Sequence, residues 1–522
     1  MNGASLTAGR PDILRPVDNP PSSAPLRPAV AAASVFLASG AVLILEIVGL
    51  RLVAPYLGVT LQVSSAVIGI ALAAIAYGAW TGGWLADRLD PRRLLAPAFL
   101  LAAAATAVTL PLVRWAGELL RGSAAGGVLL LAALAVFTPA AFLSAITPLV
   151  VKLQLAHLGE TGRVVGRLSS IGTLGAITAT LVTGFVLVAA LPTSVILLGL
   201  AVALAAAGIG LGLSVDGGAT WRRVGSWARG RRPFVIAAVG LVGAGLTAVA
   251  PNPCDVETAY HCARVQVDPD HPAGRLLLLN SARHSYVDLG DPGHLEFAYA
   301  QWMGALVDLW RPGPMRVLHL GGGGFTLPRY VESTRPGSYG RVLELDGGLV
   351  ALDRARLGVA TGPALEVVIG DARTSLAREA TGGYDLVIGD AFGHLVVPWH
   401  LTTREFIADV RRVLRAGGAY ALNVIDYPPA RFARAEVATV GAVFSHVALV
   451  APPAALAGDE GANFVILASD APLPLDALRL RLGALPEPVT LLAGADLAGF
   501  VGAGRVLTDD YAPVDQLLSR YS

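Results

Sequence analysis

Four short apolar runs, each closing on glycine or a carboxylate, constrain the fold of this chain more than any other feature. They read Arg316-Val-Leu-His-Leu-Gly-Gly-Gly-Gly, Arg341-Val-Leu-Glu-Leu-Asp, Val367-Val-Ile-Gly-Asp and Tyr384-Asp-Leu-Val-Ile-Gly-Asp. Helical stretches separate them, so the strands are expected to lie parallel. Open sheets of this kind bind ligands outside the carboxyl ends of their strands. Gly321 to Gly324, Glu344, Asp371 and Asp390 should therefore converge on one crevice, of a kind that suits a nucleoside.

The chemistry of each position follows from its place. A glycine turn after the first strand lets a ligand approach the backbone, with a helix N-terminus behind it. Glu344 lies about twenty residues beyond the glycines, the spacing of an acid that holds ribose hydroxyls. Asp371 could accept from an exocyclic amine. Asp390 falls where a substrate amine would meet the nucleoside, there to take a proton or hold a cation. The competing reading is that these acids cap the helices that follow them. One acid is easily a cap; four successive strand ends favour a binding site.

A different solvent is implied for the first half. Hydrophobic residues make up 54% of the 522-residue chain and charged ones 15%, too apolar for a soluble protein of this length. The excess falls into stretches of about twenty residues, enough to cross a bilayer. Seven spans are expected, near 29–53, 64–86, 93–113, 126–150, 169–190, 192–213 and 234–251. Residues 1–28, rich in Pro, Ser and Arg, read as a disordered cytoplasmic tail rather than a signal peptide, so the first span should be a retained anchor. Arg10, Arg15 and Arg27, then Arg88, Arg92 and Arg93, then Lys152, Arg163 and Arg167, then Arg222, Arg223, Arg229, Arg231 and Arg232 mark one side as cytoplasmic. The opposite loops carry little beyond Arg114 and Arg121. An odd number of spans then puts residues 252–522 outside the cytoplasm, where Cys254 and Cys262, eight positions apart, could form a disulfide. Glu46 and Arg51 in the first span read as a structural ion pair or as part of a transport path. The Gly82-Gly-Trp-Leu-Ala-Asp-Arg-Leu-Asp-Pro-Arg-Arg segment resembles a cytoplasmic loop of major-facilitator transporters, in a chain with too few spans for one. A net charge of +1 without a long basic tract argues against a nucleic-acid partner.

The expected organisation is a tail (1–28), a helical transmembrane domain (29–251), a β-rich segment (252–310) and an α/β Rossmann-like, methyltransferase-type domain (311–522). Within the third, Ala263-Arg-Val-Gln-Val and Arg275-Leu-Leu-Leu-Leu-Asn read as strands, and His294 to Trp310 as a helix. Thr402 to Arg415 should form an amphipathic helix stopped at Ala416-Gly-Gly, before a strand at Ala419-Tyr-Ala-Leu-Asn-Val.

With these residues in view, the chain resembles the polyamine aminopropyltransferases (spermidine synthases) in their membrane-fused form. Tyr384-Asp-Leu-Val-Ile-Gly-Asp is similar to that family's catalytic strand, which implies that Asp390 is the proton acceptor. Glu344, Asp371 and Ala372 match positions holding the ribose and adenine of decarboxylated S-adenosylmethionine, a co-substrate rather than a tightly bound cofactor. Gly321, Gly322 and Gly323 match the glycine turn. Thr258-Ala-Tyr-His resembles a nucleoside-contacting segment whose last residue is here His261, and Pro398 with Thr402-Thr-Arg-Glu-Phe resembles the loop and helix after the catalytic acid. Thr508-Asp-Asp-Tyr-Ala-Pro-Val-Asp is similar to the end of membrane-fused members. Three positions depart from the family: acids that hold the amines are replaced by Gly324, Ala300 and Gly393. His284, Tyr299, Gln301 and His394 are left to shape the acceptor pocket. The resemblance implies an amine and an adenosyl donor as small-molecule partners, a lipid bilayer around the first half, a homo-oligomer, and no metal. An S-adenosylmethionine-dependent methyltransferase, or a non-catalytic transporter or nucleoside sensor, are the rival readings.

Overall fold

The computed structural model describes residues 26–518 apart from 59, 122, 124, 156, 216–230 and 394–396. His394, residues 1–25 and the arginines at 222, 223 and 229 lie outside the described residues.

Six helices among the described residues are long and apolar enough to cross a bilayer, one fewer than the sequence suggests: α1 (Pro28–Leu57), α2 (Leu61–Arg88), α3 (Pro91–Leu119), α4 (Ala125–Gln154), α5 (Thr161–Ala190) and α6 (Thr193–Leu213). The seventh expected span, 234–251, falls on α7 (Arg231–Val249), whose described apolar part is only Gly240–Val249. Even so, α7 lies along α3 in the same direction. Gly240 meets Ala104, Gly243 meets Val108, and Arg114 donates to the Thr247 carbonyl at 3.4 Å. The chain thus returns to the end where α1 and α3 finish, where Arg121 donates to the Pro55 carbonyl at 2.8 Å. The other end carries the Lys152–Asp87 ion pair and the bond from Gln154 to the Leu26 carbonyl, at 2.8 and 2.7 Å.

The soluble half begins with a four-stranded antiparallel meander: β1 (Val256–Glu257), β2 (Cys262–Val267), β3 (Gly274–Leu279) and β4 (Ala282–Asp288). Cys254 and Cys262 are bridged, so the disulfide expected as a possibility is formed, and it closes the entry into β2. The loop is short, and its closure restricts the unfolded chain by about 2–3 kcal/mol. Reducing the detergent-solubilised protein should therefore shift its guanidinium unfolding curve to lower denaturant; an unmoved midpoint would show that the bridge contributes nothing.

Helix α8 (Ala298–Trp310) follows, starting four residues later than the sequence suggests, because the Asp291-Pro-Gly turn extends to Phe297. Then comes an eight-stranded sheet in the order β12-β10-β11-β9-β8-β5-β6-β7. Its strands β5 (Arg316–Leu320), β6 (Tyr339–Glu344), β7 (Leu365–Ile369), β8 (Tyr384–Gly389) and β9 (Leu414–Asp426) are parallel, as expected from the four runs. β10 (His446–Ala451), β11 (Ala462–Ser469) and β12 (Thr490–Ala493) extend it antiparallel. Helices cover both faces and give two apolar layers, one including Phe406, Phe432 and Phe464, the other Trp302, Met303 and Leu306.

The strand order reverses beside β5, whose neighbours are β8 and β6. A crevice opens there, outside the carboxyl ends. The helices that follow are α9 (Thr326–Thr334), α10 (Gly347–Arg356), α11 (Ala372–Leu376) and α12 (Arg404–Val413). The last ends two residues before the expected Arg415. Ala416-Gly-Gly does not stop it but lies inside β9, whose pairing with β8 slips at Tyr384/Leu386. Arg415 is drawn into the sheet by Asp385, 3.0 Å away.

Candidate active site

The crevice is assembled from the ends of β5, β6, β7 and β8. Gly321 follows β5 with φ +94°, and a Cβ there would lie 2.6 Å from the Asp390 carbonyl oxygen. Only glycine lets the two strand ends approach this closely. The Gly322 N–H donates to Glu344 at 2.7 Å, and the other Glu344 oxygen accepts from the Asp346 N–H at 2.8 Å. Glu344 is 8% exposed and ties the glycine turn to the end of β6.

Asp346 caps α10, accepting from the Gly348 and Leu349 N–H groups. It also accepts from the Thr258 hydroxyl and meets His261 Nδ1 at 3.1 Å. Burial works to raise the Asp346 carboxyl, but His261 and Thr258 bond to its charged form and hold it below the usual range. His261 thus reaches the Glu344 side of the crevice through Asp346. The second run closes on Asp346, but the site role expected there from the sequence falls to Glu344 alone.

At the end of β7, Asp371 accepts from the Thr374 N–H at 2.9 Å and capping α11 is one of its roles. Its second oxygen meets His400 Nε2 at 2.8 Å. Burial would raise this carboxyl too; the bonds from Thr374 and His400 hold it down. Ala372 is buried as the first residue of α11. Pro398 opens the tight turn Trp399–Leu401, which carries His400. The C-terminal Thr508-Asp-Asp motif closes this side: Asp509 pairs with Arg373 at 2.5 Å and accepts from Thr403 at 2.7 Å.

Asp390 follows β8 and lies partly exposed at the crevice. Tyr299, on α8, donates to its Oδ2 at 3.2 Å. Asn423, on β9, donates to Oδ1 at 2.9 Å, and Asn463 on β11 donates in turn to Asn423 at 3.0 Å. Burial pushes the Asp390 carboxyl up to about 6, even though both hydrogen bonds favour the charged form. Burial, and then the charge of Asp390, raises the Tyr299 hydroxyl well above its usual range, so it stays a donor. Asn423 was visible in the sequence as a polar residue late in an apolar strand, yet its role depends on β9 lying beside β8.

His284, on β4, packs on the glycine turn: a Cβ at Gly323 would lie 2.9 Å from its ring. Ser285 accepts from the Gly324 N–H at 3.0 Å. Gln301 does not line the crevice with a free amide; it donates to the Leu295 carbonyl at 2.8 Å. Ala300 is buried in the core layer behind α8. A side chain at Gly324 would have its Cβ 2.9 Å from Ser285 Cβ, so an acid could not be restored there without moving β4.

No protein-family model matches the chain. It is similar to a polyamine aminopropyltransferase of Vibrio vulnificus, 26% identical over 226 residues, which are 40% of this chain and 72% of that protein. Another polyamine aminopropyltransferase, from Chromobacterium violaceum, is 26% identical over 160 residues, 30% of this chain and 60% of the relative. Among solved structures, a probable spermidine synthase from Corynebacterium glutamicum shares 28% identity at a TM-score of 0.46, covering 48% of this chain and 94% of that one.

Proposed function

The chain belongs with the polyamine aminopropyltransferases, and on that premise we propose that it moves an aminopropyl group from decarboxylated S-adenosylmethionine to putrescine or a related amine. The observation that carries the reading is Asp390, a carboxylate held by Tyr299 and Asn423 beside a glycine turn tied to Glu344. The amine nitrogen forms a bond to the aminopropyl carbon as the carbon–sulfur bond breaks. Methylthioadenosine leaves, and the amine proton passes to Asp390. Alignment of nitrogen and carbon supplies most of the acceleration, and the base adds about 10²- to 10⁴-fold. In this reading Glu344 and Asp371 hold the ribose and adenine sides, with His261 and His400 orienting the acids that face them.

Only the unprotonated Asp390 can take the proton. With its carboxyl near 6, kcat/KM should fall about tenfold per unit as pH drops below about 6. A pH profile flat between 5 and 7 would remove Asp390 from the role of base.

One observation favours a second reading. The amine-holding acids are absent at Gly324, Ala300 and Gly393, and Ser285 fills the space beside Gly324. Intact S-adenosylmethionine as a methyl donor is the alternative this supports, since a dicationic amine needs carboxylates. Purified protein offered putrescine with either donor distinguishes the two by mass spectrometry. Spermidine with methylthioadenosine supports aminopropyl transfer; a methylated amine with the intact donor supports the rival; neither product withdraws both.

The catalytic half is further proposed to lie outside the cytoplasm, with the first half in the cell membrane. Among the described residues, Arg88, Arg92, Arg93, Lys152, Arg163 and Arg167 lie at the helix ends away from it, and its cysteines are bridged. Labelling of reduced Cys254 and Cys262 in intact cells by a membrane-impermeant maleimide is expected; labelling only after lysis would place the domain inside.

A further inference from the structure

Arg51 is a cation near the end of the first membrane helix, where burial makes an unpaired charge costly. It does not pair with Glu46. Its guanidinium reaches out of the bundle and donates to two successive carbonyls of the soluble half, Thr258 and Ala259, both at 2.5 Å. A guanidinium fork spans two acceptors in fixed geometry, which an ammonium cannot copy.

The turn so held is the one that grips Asp346. The Thr258 hydroxyl donates to Asp346, and His261 meets the same oxygen at 3.1 Å. From Asp346 the bonds continue to Glu344 at 2.8 Å and from Glu344 to the Gly322 N–H at 2.7 Å. Hydrogen bonds relayed through Thr258, the Asp346 carboxylate and backbone N–H, and Glu344 therefore join a membrane helix to the glycine turn. The turn is otherwise loosely packed on its bundle side, where a cavity of about 140 Å³ is lined by Arg51, Glu257, Tyr260 and His261. Without the fork, residues 258–261 have room to shift.

We infer that Arg51 is a positioning residue through which the helical bundle sets the affinity of the crevice for its adenosyl ligand. This rests on reading the Glu344 side as the nucleoside site.

The test is calorimetric titration of methylthioadenosine into the full-length protein in detergent. Networks of this kind carry couplings worth roughly 2- to 30-fold in affinity. Arg51→Gln should weaken binding within that range, with the acceptor KM unchanged, and Arg51→Lys should fall between it and the native protein. Thr258→Val, which cuts the relay one step further on, should weaken binding too. The double variant should bind no worse than the weaker single one. Native affinity in Arg51→Gln, or in Arg51→Lys should the former not fold, overturns the inference. Fully additive losses in the double variant also overturn it, since Arg51 would then act by another route. A native protein that binds no methylthioadenosine refutes the nucleoside reading itself, and the inference with it.

Discussion

Asp390→Asn should lower kcat by about 10²- to 10⁴-fold while methylthioadenosine binds within about twofold of the native affinity. The substitution keeps the shape of the side chain and removes its basicity. Tyr299 and Asn423 both donate to this carboxylate, at 3.2 and 2.9 Å, so an amide there faces two donors with one acceptor oxygen. That mismatch is local, because Glu344 and Asp371 take their partners from other elements. Turnover and nucleoside titration on the same preparation check the prediction. A loss of less than about fivefold would leave alignment alone to account for the rate.

Gly321→Ala should damage both the fold and the crevice. The residue sits at φ +94°, and the added Cβ would lie 2.6 Å from the Asp390 carbonyl oxygen and 3.0 Å from its carbon. These are backbone atoms of the neighbouring strand end, so no rotamer change relieves the contact. Strain and clash together should destabilise the fold by about 2–3 kcal/mol. Because the Gly322 N–H also holds Glu344 at the crevice, a displaced turn should lower methylthioadenosine affinity at least about tenfold. Gly382→Ala is the control: φ is +66° with no atom within 4 Å of the new Cβ. It should cost about 1 kcal/mol and leave affinity alone. Equal effects from the two variants would sink the argument from close approach.

The sequence made the parallel strands and their ends legible because each strand is a contiguous apolar run with a polar stop. Glu344, Asp371 and Asp390 could be set on one rim from that pattern. What escaped it was defined by neighbours distant in the chain. β9 starts at Leu414, paired with Tyr384 of β8, and Arg415 meets Asp385 at 3.0 Å; the glycines there looked like a helix stop. β4 was missed, since Ala282-Arg-His-Ser reads as polar until β3 pairs with it. Gln301 looked like a pocket residue and is spent on the Leu295 carbonyl. His400 and Asn423 acquire their meaning from Asp371 and Asp390, 29 and 33 positions away.

The two asparagines behind Asp390 have a geometric consequence. Each amide points its N–H groups the same way, from Asn463 on β11 to Asn423 on β9 and on to the carboxylate. The row is a one-way street of dipoles, and it fills Oδ1 from the sheet side while Tyr299 takes Oδ2 from α8. A carboxylate has about four lone-pair sites, so two remain beyond those taken by Asn423 and Tyr299. In the proposed reaction the sheet therefore sets the bearing from which the amine arrives, and an acceptor whose nitrogen cannot present a hydrogen along that bearing is turned away whatever its charge.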